Sequence, residues 1–133
     1  MIWTSCYGHW RWFPEGCIRA AVSLQVPKES SFDVHIKPFA PTWELVQLGR
    51  SKEDRARWTK EYLALLDSRE SAFAAAQKLK EMSLKGRKIV LLCWEADHLD
   101  CHRRLLAKWI EVGWGMEIPE LQKESNGGHI DGI

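Results

Sequence analysis

Hydrophobic and polar positions along this chain fall into blocks with two different periods. The run Lys88-Ile-Val-Leu-Leu-Cys93 is apolar on both faces, with Gly86 before it and a polar stretch after it. A strand covered on both sides reads this way, because successive side chains point to opposite faces and both must meet apolar neighbours. The run therefore predicts the central strand of the sheet. Residues 2–7 and 18–24 read as two further strands, and Pro14 and Gly16 between them argue for a long loop or crossover rather than a tight hairpin. A short strand at 116–118 is expected to close the sheet.

Helical periodicity appears elsewhere. Residues 51–67 open with Ser51-x-x-Asp54, which resembles a capping box, and carry Trp58, Tyr62, Leu65 and Leu66 on one face. Residues 69–83, with Phe73, Ala76 and Leu79, make a second helix. A third is expected over 101–112, with Leu105, Leu106, Trp109 and Ile110 at helical spacing, Asp100 as its N-cap and Gly113 as its stop. Strands, two helices, a strand, a helix and a last strand predict a single-domain, compact three-layer α/β sandwich with a partly parallel sheet over residues 1–122, followed by a flexible tail over 123–133. No internal repeat or low-complexity segment is visible.

Composition narrows the classes of function. The 133 residues are 45% hydrophobic and 28% charged, and 19 Lys and Arg face 18 Asp and Glu. Disorder is excluded by the first pair of values. The even charge balance removes the cationic surplus that sequence-independent nucleic-acid binding draws on, so nucleic acid is not the expected partner. The first residues lack the pattern of a signal peptide and the longest apolar run, 89–94, is too short to span a bilayer. A cytoplasmic protein without a membrane partner is expected, with its four cysteines, at 6, 17, 93 and 101, as free thiols rather than a disulfide framework.

Ligands of open α/β sheets sit beyond the carboxyl ends of the strands, where loops meet helix N-termini. That rule points to Cys93-Trp-Glu-Ala-Asp-His-Leu-Asp-Cys-His-Arg103, which crowds two thiols, two imidazoles, three carboxylates and a guanidinium into one strand–helix junction. Cys101, at the first turn of its helix, is a candidate nucleophile, because unpaired N–H groups and the helix dipole favour a thiolate. His102 is its candidate base, and Glu95 a carboxylate to orient either. Arg103 and the helix N-terminus could hold an anion. Trp10 and Trp94, beside strand ends, could stack on a flat ligand, whereas Trp58 and Trp109 fall on apolar helical stripes and read as core.

Known signatures are missing. The spacing from Cys93 to Arg103 is too long for a tyrosine-phosphatase loop, there is no zinc-deaminase or zinc-finger pattern, and Gly8, Gly16 and Gly49 match no phosphate-binding loop. Cys101 and His102 would project about 100° apart on a helix, which makes sharing one ion awkward. Another metal set would combine Cys93, Cys101 and His98 with Cys6 or His9. No metal is assigned to the site on this reading, and no cofactor is identified.

Residues 91–110, LLCWEADHLDCHRRLLAKWI, resemble the domain of unknown function 488 family, whose members carry a leucine-rich strand, a cysteine, a glutamate and then Cys-His-Arg at the head of a helix. Trp3-Thr-Ser-Cys-Tyr-Gly-His9 is similar to that family's first strand, and Ala40-Pro-Thr-Trp-Glu-Leu45 to its Pro-Thr-Trp-Glu segment. Trp3 and His9 stand where a tyrosine and an asparagine are usual. The resemblance implies a small α/β fold and a shared site at Thr4, Ser5, Pro41, Thr42, Cys93, Glu95, Cys101, His102 and Arg103, without supplying a reaction. With His9, Trp10 and Trp94 added as ligand contacts, the expectation is an enzyme or former enzyme that binds a small anionic, nucleotide-like molecule. A non-catalytic capture module, a thiol redox or zinc site and a nucleic-acid binder remain open beside it.

Overall fold

The computed structural model describes residues 1–95 and 101–123. Four strands form one sheet: β1 (Ile2–Cys6), β2 (Ile18–Ala21), β3 (Val34–His35) and β4 (Ile89–Cys93), in the order β1-β4-β2-β3. Every pairing is parallel, with Cys6 opposite Cys93 and Ala21 opposite Leu92 at the carboxyl ends. The sheet is thus parallel throughout rather than in part. β4 is central and all five of its residues are buried, as its unbroken apolar run requires.

Among the described residues the α-helices are, in chain order, α1 (Trp43–Leu48), α2 (Arg55–Ser68), α3 (Glu70–Leu84) and α4 (His102–Trp114). The main core joins Ile2, Ala20, Ile89 and Leu91 of the sheet to Trp58, Tyr62, Leu66, Ala72, Ala76, Leu79, Leu106 and Ile110 of α2, α3 and α4. The other face, with Ala21, Val90 and Leu92, meets Tyr7, Trp3, Phe13, Val26 and Phe32. Among the described residues its covering layer is a 3-10 turn at Tyr7–Trp12 and loops, without an α-helix.

Several sequence expectations shift at their edges. The 51–67 helix is a 3-10 turn at Lys52–Asp54 running into α2, and neither Ser51 nor Asp54 makes a side-chain cap. On α3, Phe73 lies at the edge of the stripe against Trp109 and Trp114, while Ala72, Ala76 and Leu79 are buried. The helix expected to stop at Gly113 continues to Trp114 and ends at Gly115, whose φ of 66° is the left-handed conformation that glycine accepts without cost.

No strand forms at 116–118. Instead the chain turns back along β1 and is held by Thr4 N to Pro119 O at 3.0 Å and Leu121 N to Thr4 O at 2.8 Å. These two bonds saturate one β1 residue and bring Glu120 beside α4. Asp100 lies outside the described residues, and the position before α4 is held by Cys101 in extended conformation, φ −124° and ψ 141°. The tail expected over 123–133 lies outside them too, apart from Lys123. Among the described residues no helix is long and apolar enough to cross a membrane.

Candidate functional site

The carboxyl ends of β2 and β4 open into a cleft of about 300 Å³. Its walls are Ser23, Leu24 and Gln25 after β2, Pro41, Trp43, Val46, Gly49 and Arg50 of the α1 segment, Trp58 of α2, and Trp94. Cys93, Glu95 and His102 complete it. Trp43 and Trp94 are each about half exposed, at 50% and 51%. Large indole rings left in water beside a cavity are the usual makings of a stacking site.

Each wall is fixed locally. Trp94 Nε1 donates to Gln25 O at 2.8 Å, and its ring meets Tyr7 edge-on at 4.9 Å. Ser23 Oγ spends its one proton on Gln25 O at 2.7 Å, so Tyr7, 2.6 Å away, is the donor to Ser23. Burial raises the Tyr7 phenol above its ordinary value, against a smaller opposing effect of that bond. Thr42 caps α1 by accepting from Leu45 N at 3.2 Å. Gly49 approaches Trp58 so closely that a Cβ would lie 2.7 Å from Nε1.

At the inner end, β4 delivers Cys93 and the head of α4 delivers Cys101 and His102. The two sulfurs are joined as a disulfide with Cα atoms 7.3 Å apart. The expectation of four free thiols is corrected accordingly: Cys6 and Cys17 are free. Loop closure brings sulfurs eight positions apart into one place, which thiol content alone does not reveal. His102 Nδ1 is 4.0 Å from Cys101 Sγ, and Glu95 Oε2 is 3.7 Å from Cys93 Sγ.

His102 Nε2 lies 2.9 Å from Val22 O. A carbonyl only accepts, so this nitrogen carries the proton and Nδ1 keeps a lone pair toward the sulfurs. Burial pushes His102 from 6.5 down to about 4; the Val22 bond opposes this and Arg103 adds to it. The imidazole is neutral at pH 7 and able to accept a proton or a metal.

Arg103 is fully buried. It makes a two-pronged ion pair with Glu120, Nε to Oε1 at 3.0 Å and Nη2 to Oε2 at 2.7 Å. Nη1 donates to Glu95 O at 2.5 Å and to Cys93 Sγ at 3.1 Å. Thr4 donates to Glu120 Oε1 at 2.7 Å and accepts from Arg104 Nη1 at 2.8 Å, which also reaches Ile118 O. Every member of this network has a partner, as burial of charge demands.

A family model described as the active DUF488-N3 subclade matches residues 11–112. The chain belongs to this DUF488 family. No curated protein and no solved structure matches it. The resemblance seen in the Cys-His-Arg and Pro-Thr-Trp-Glu segments is confirmed at the level of the family, and the α/β class with it.

This DUF488 chain gathers only some of the residues singled out from the sequence. Cys93, Glu95, His102, Pro41 and Trp94 line the cleft, and Cys101 adjoins it through its sulfur. Thr42 serves as a helix cap. Thr4 and Arg103 belong to the Glu120 network, where the guanidinium faces Glu120 and Cys93 rather than an open anion seat. Ser5 is buried and its hydroxyl has no partner among the described residues, and His9 stacks on Trp12 at 3.9 Å with its buried Nδ1 likewise without a partner among them. Trp10, 58% exposed, carries Arg11 over its ring and is absent from the cleft wall. His98 lies outside the described residues.

The sequence reading missed Ser23, Gln25, Trp43, Arg50 and Glu120. Trp43 had a signal in the Pro-Thr-Trp-Glu segment, and Ser23 and Gln25 had one in their place just after β2. Glu120 had none. Among the described residues, Cys93, Cys101 and His102 form a group that could hold a metal, their ligand atoms lying within 4.8 Å of one another.

Proposed function

We propose that this protein is an enzyme that takes a flat, anionic, nucleotide-like small molecule into the cleft and works on it with the Cys93–Cys101–His102 cluster. The observation that carries the reading is the shared cavity: half-exposed Trp43 and Trp94 on its walls, with Cys93, Glu95 and His102 within the same 300 Å³. A planar ring finds two indoles there. Arg50, whose guanidinium lies 5.7 Å from the Trp43 ring centre on the cleft wall, is the cation placed to meet the anionic group. Arg103 is held by Glu120 and acts on Cys93 instead. The description of the matched subclade as active favours catalysis over capture.

The test uses the reduced full-length chain and a panel of nucleoside mono- and diphosphates. Saturable quenching of tryptophan fluorescence is expected for at least one compound, and Trp94→Ala should weaken it about tenfold, the worth of one stacked base. Mass spectrometry of the released ligand should reveal a changed product that Cys101→Ala no longer makes. An unchanged ligand would leave capture and overturn catalysis, and absence of saturable binding across the panel would overturn the reading as a whole.

A further inference from the structure

We infer that Cys93 and Cys101, once reduced, form with His102 a binding site for a borderline-soft divalent cation of the Zn²⁺ class. The inference deepens the reading above and rests on it in one respect, that the open side of the ion faces the cleft.

Three observations carry it. The first is convergence. Two sulfurs and one imidazole nitrogen lie within 4.8 Å of one another, about 1 Å beyond the roughly 3.3–3.8 Å edges of a tetrahedron with bonds of about 2.0–2.3 Å, a gap that small side-chain rotations close. Neighbouring residues on a helix would diverge. Cys101 instead has extended backbone, φ −124° and ψ 141°, and only His102 begins α4, so the two side chains turn toward the same point.

The second is orientation from outside the cluster. Metal-bound histidine commonly donates its other ring N–H to a carbonyl or carboxylate, and His102 Nε2 has Val22 O at 2.9 Å, leaving Nδ1 as the ligand atom. Arg103 Nη1 donates to Cys93 Sγ at 3.1 Å. A hydrogen bond of that kind disperses the excess negative charge of a metal-bound thiolate. Glu120 fixes the guanidinium in place by its two-pronged contact.

The third is space. The Cα atoms of Cys93 and Cys101 are 7.3 Å apart, wider than the usual 4.4–6.8 Å of bridged cysteines, which leaves room for an ion between the sulfurs after the bridge opens. Glu95 Oε2 lies 3.7 Å from Cys93 Sγ and the residue lines the cleft. Its carboxylate is not among the three converging ligand atoms, so the fourth position is left to water or to an oxygen of a molecule in the cleft. Thiolate and imidazole donors select zinc-like ions over magnesium or calcium, which prefer oxygen.

Reduction balances simply. A dithiol reductant is oxidised to its own disulfide and delivers two electrons and two protons, giving two thiols. Binding of the cation to both sulfurs then releases those two protons, so metal and disulfide exclude each other.

The experiment titrates the full chain with Co²⁺ after anaerobic reduction, with Zn²⁺ as competitor. One Co²⁺ per chain is expected, with a thiolate-to-metal charge-transfer band that Zn²⁺ abolishes. Cys93→Ser and Cys101→Ser should each lose about half of its intensity, as one of two sulfur ligands goes, while Cys17→Ser leaves it unchanged. Protein with the disulfide intact should give no band. If either variant fails to fold, the wild-type contrast between reduced and oxidised forms carries the test alone. A folded, reduced chain without the band, or a band that persists with the disulfide intact, overturns the inference. Nucleotide binding is followed separately in the same samples: its absence with the band present sinks the cleft reading and keeps the metal site, and the opposite pattern sinks only the metal site.

Discussion

Two polar groups lie back to back at the carboxyl edge of the sheet, and they differ in what is left over. Behind β1, Thr4, Arg103, Arg104 and Glu120 satisfy one another, with Glu120 accepting from both Thr4 and Arg103. Toward the cleft, His102 keeps a lone pair on Nδ1 and Glu95 a carboxylate near the cleft. A closed network holds side chains still, and its energy is spent on that task. Chemistry needs an unfilled valence near open space. Arg103 stands at the border of the two, with three contacts to the first group's carboxylate and the Glu95 carbonyl and one to Cys93.

The comparison breaks most sharply at Glu120. Glu120→Ala leaves the Arg103 guanidinium buried without its counter-charge, and a loss of about 3–5 kcal/mol in urea denaturation is expected. A loss below about 1 kcal/mol, the range of a surface pair, would mean the network is not closed. The cleft side answers to acid. Above pH 6.5 His102 is neutral whether folded or not; between 6.5 and about 4 only the unfolded chain takes up its proton, so stability falls by about 3 kcal/mol across that window and levels off below it. His102→Gln should flatten that part of the profile.

Smaller changes sharpen the boundary. Gly49→Ala forces a methyl against the Trp58 indole, and a cost of about 1–3 kcal/mol is expected from overpacking, together with an altered tryptophan emission spectrum. Unaltered stability and emission would mean that the wall yields freely. Thr42→Ala removes the cap of α1 and should cost about 1 kcal/mol while nucleotide affinity stays unchanged. A large loss of affinity without loss of stability would return Thr42 to the site.

The sequence made the sheet's centre legible because β4 is apolar on every residue, and it pointed toward the cleft because Cys93, Glu95 and His102, which line it, lie at or after the end of that strand. It located α4 to within a turn. What it did not reveal has physical causes. α1 is six residues long, too short for a helical period to declare itself. Glu120 reaches Arg103 through an extended segment bonded to Thr4, a tertiary contact without a local pattern. The convergence of Cys101 and His102 was obscured by the assumption that both are helical, and Arg103 read as an anion seat because its buried partner was unseen.

The place where α4 starts decides whether two adjacent side chains can meet. With Cys101 extended, its sulfur shares a point with the His102 nitrogen; were the helix to wind back by one residue, the thiol would swing by about 100° and leave the imidazole behind. That one extended residue is what lets two side chains adjacent in sequence also be adjacent in the site, on a helix that would otherwise hold them apart.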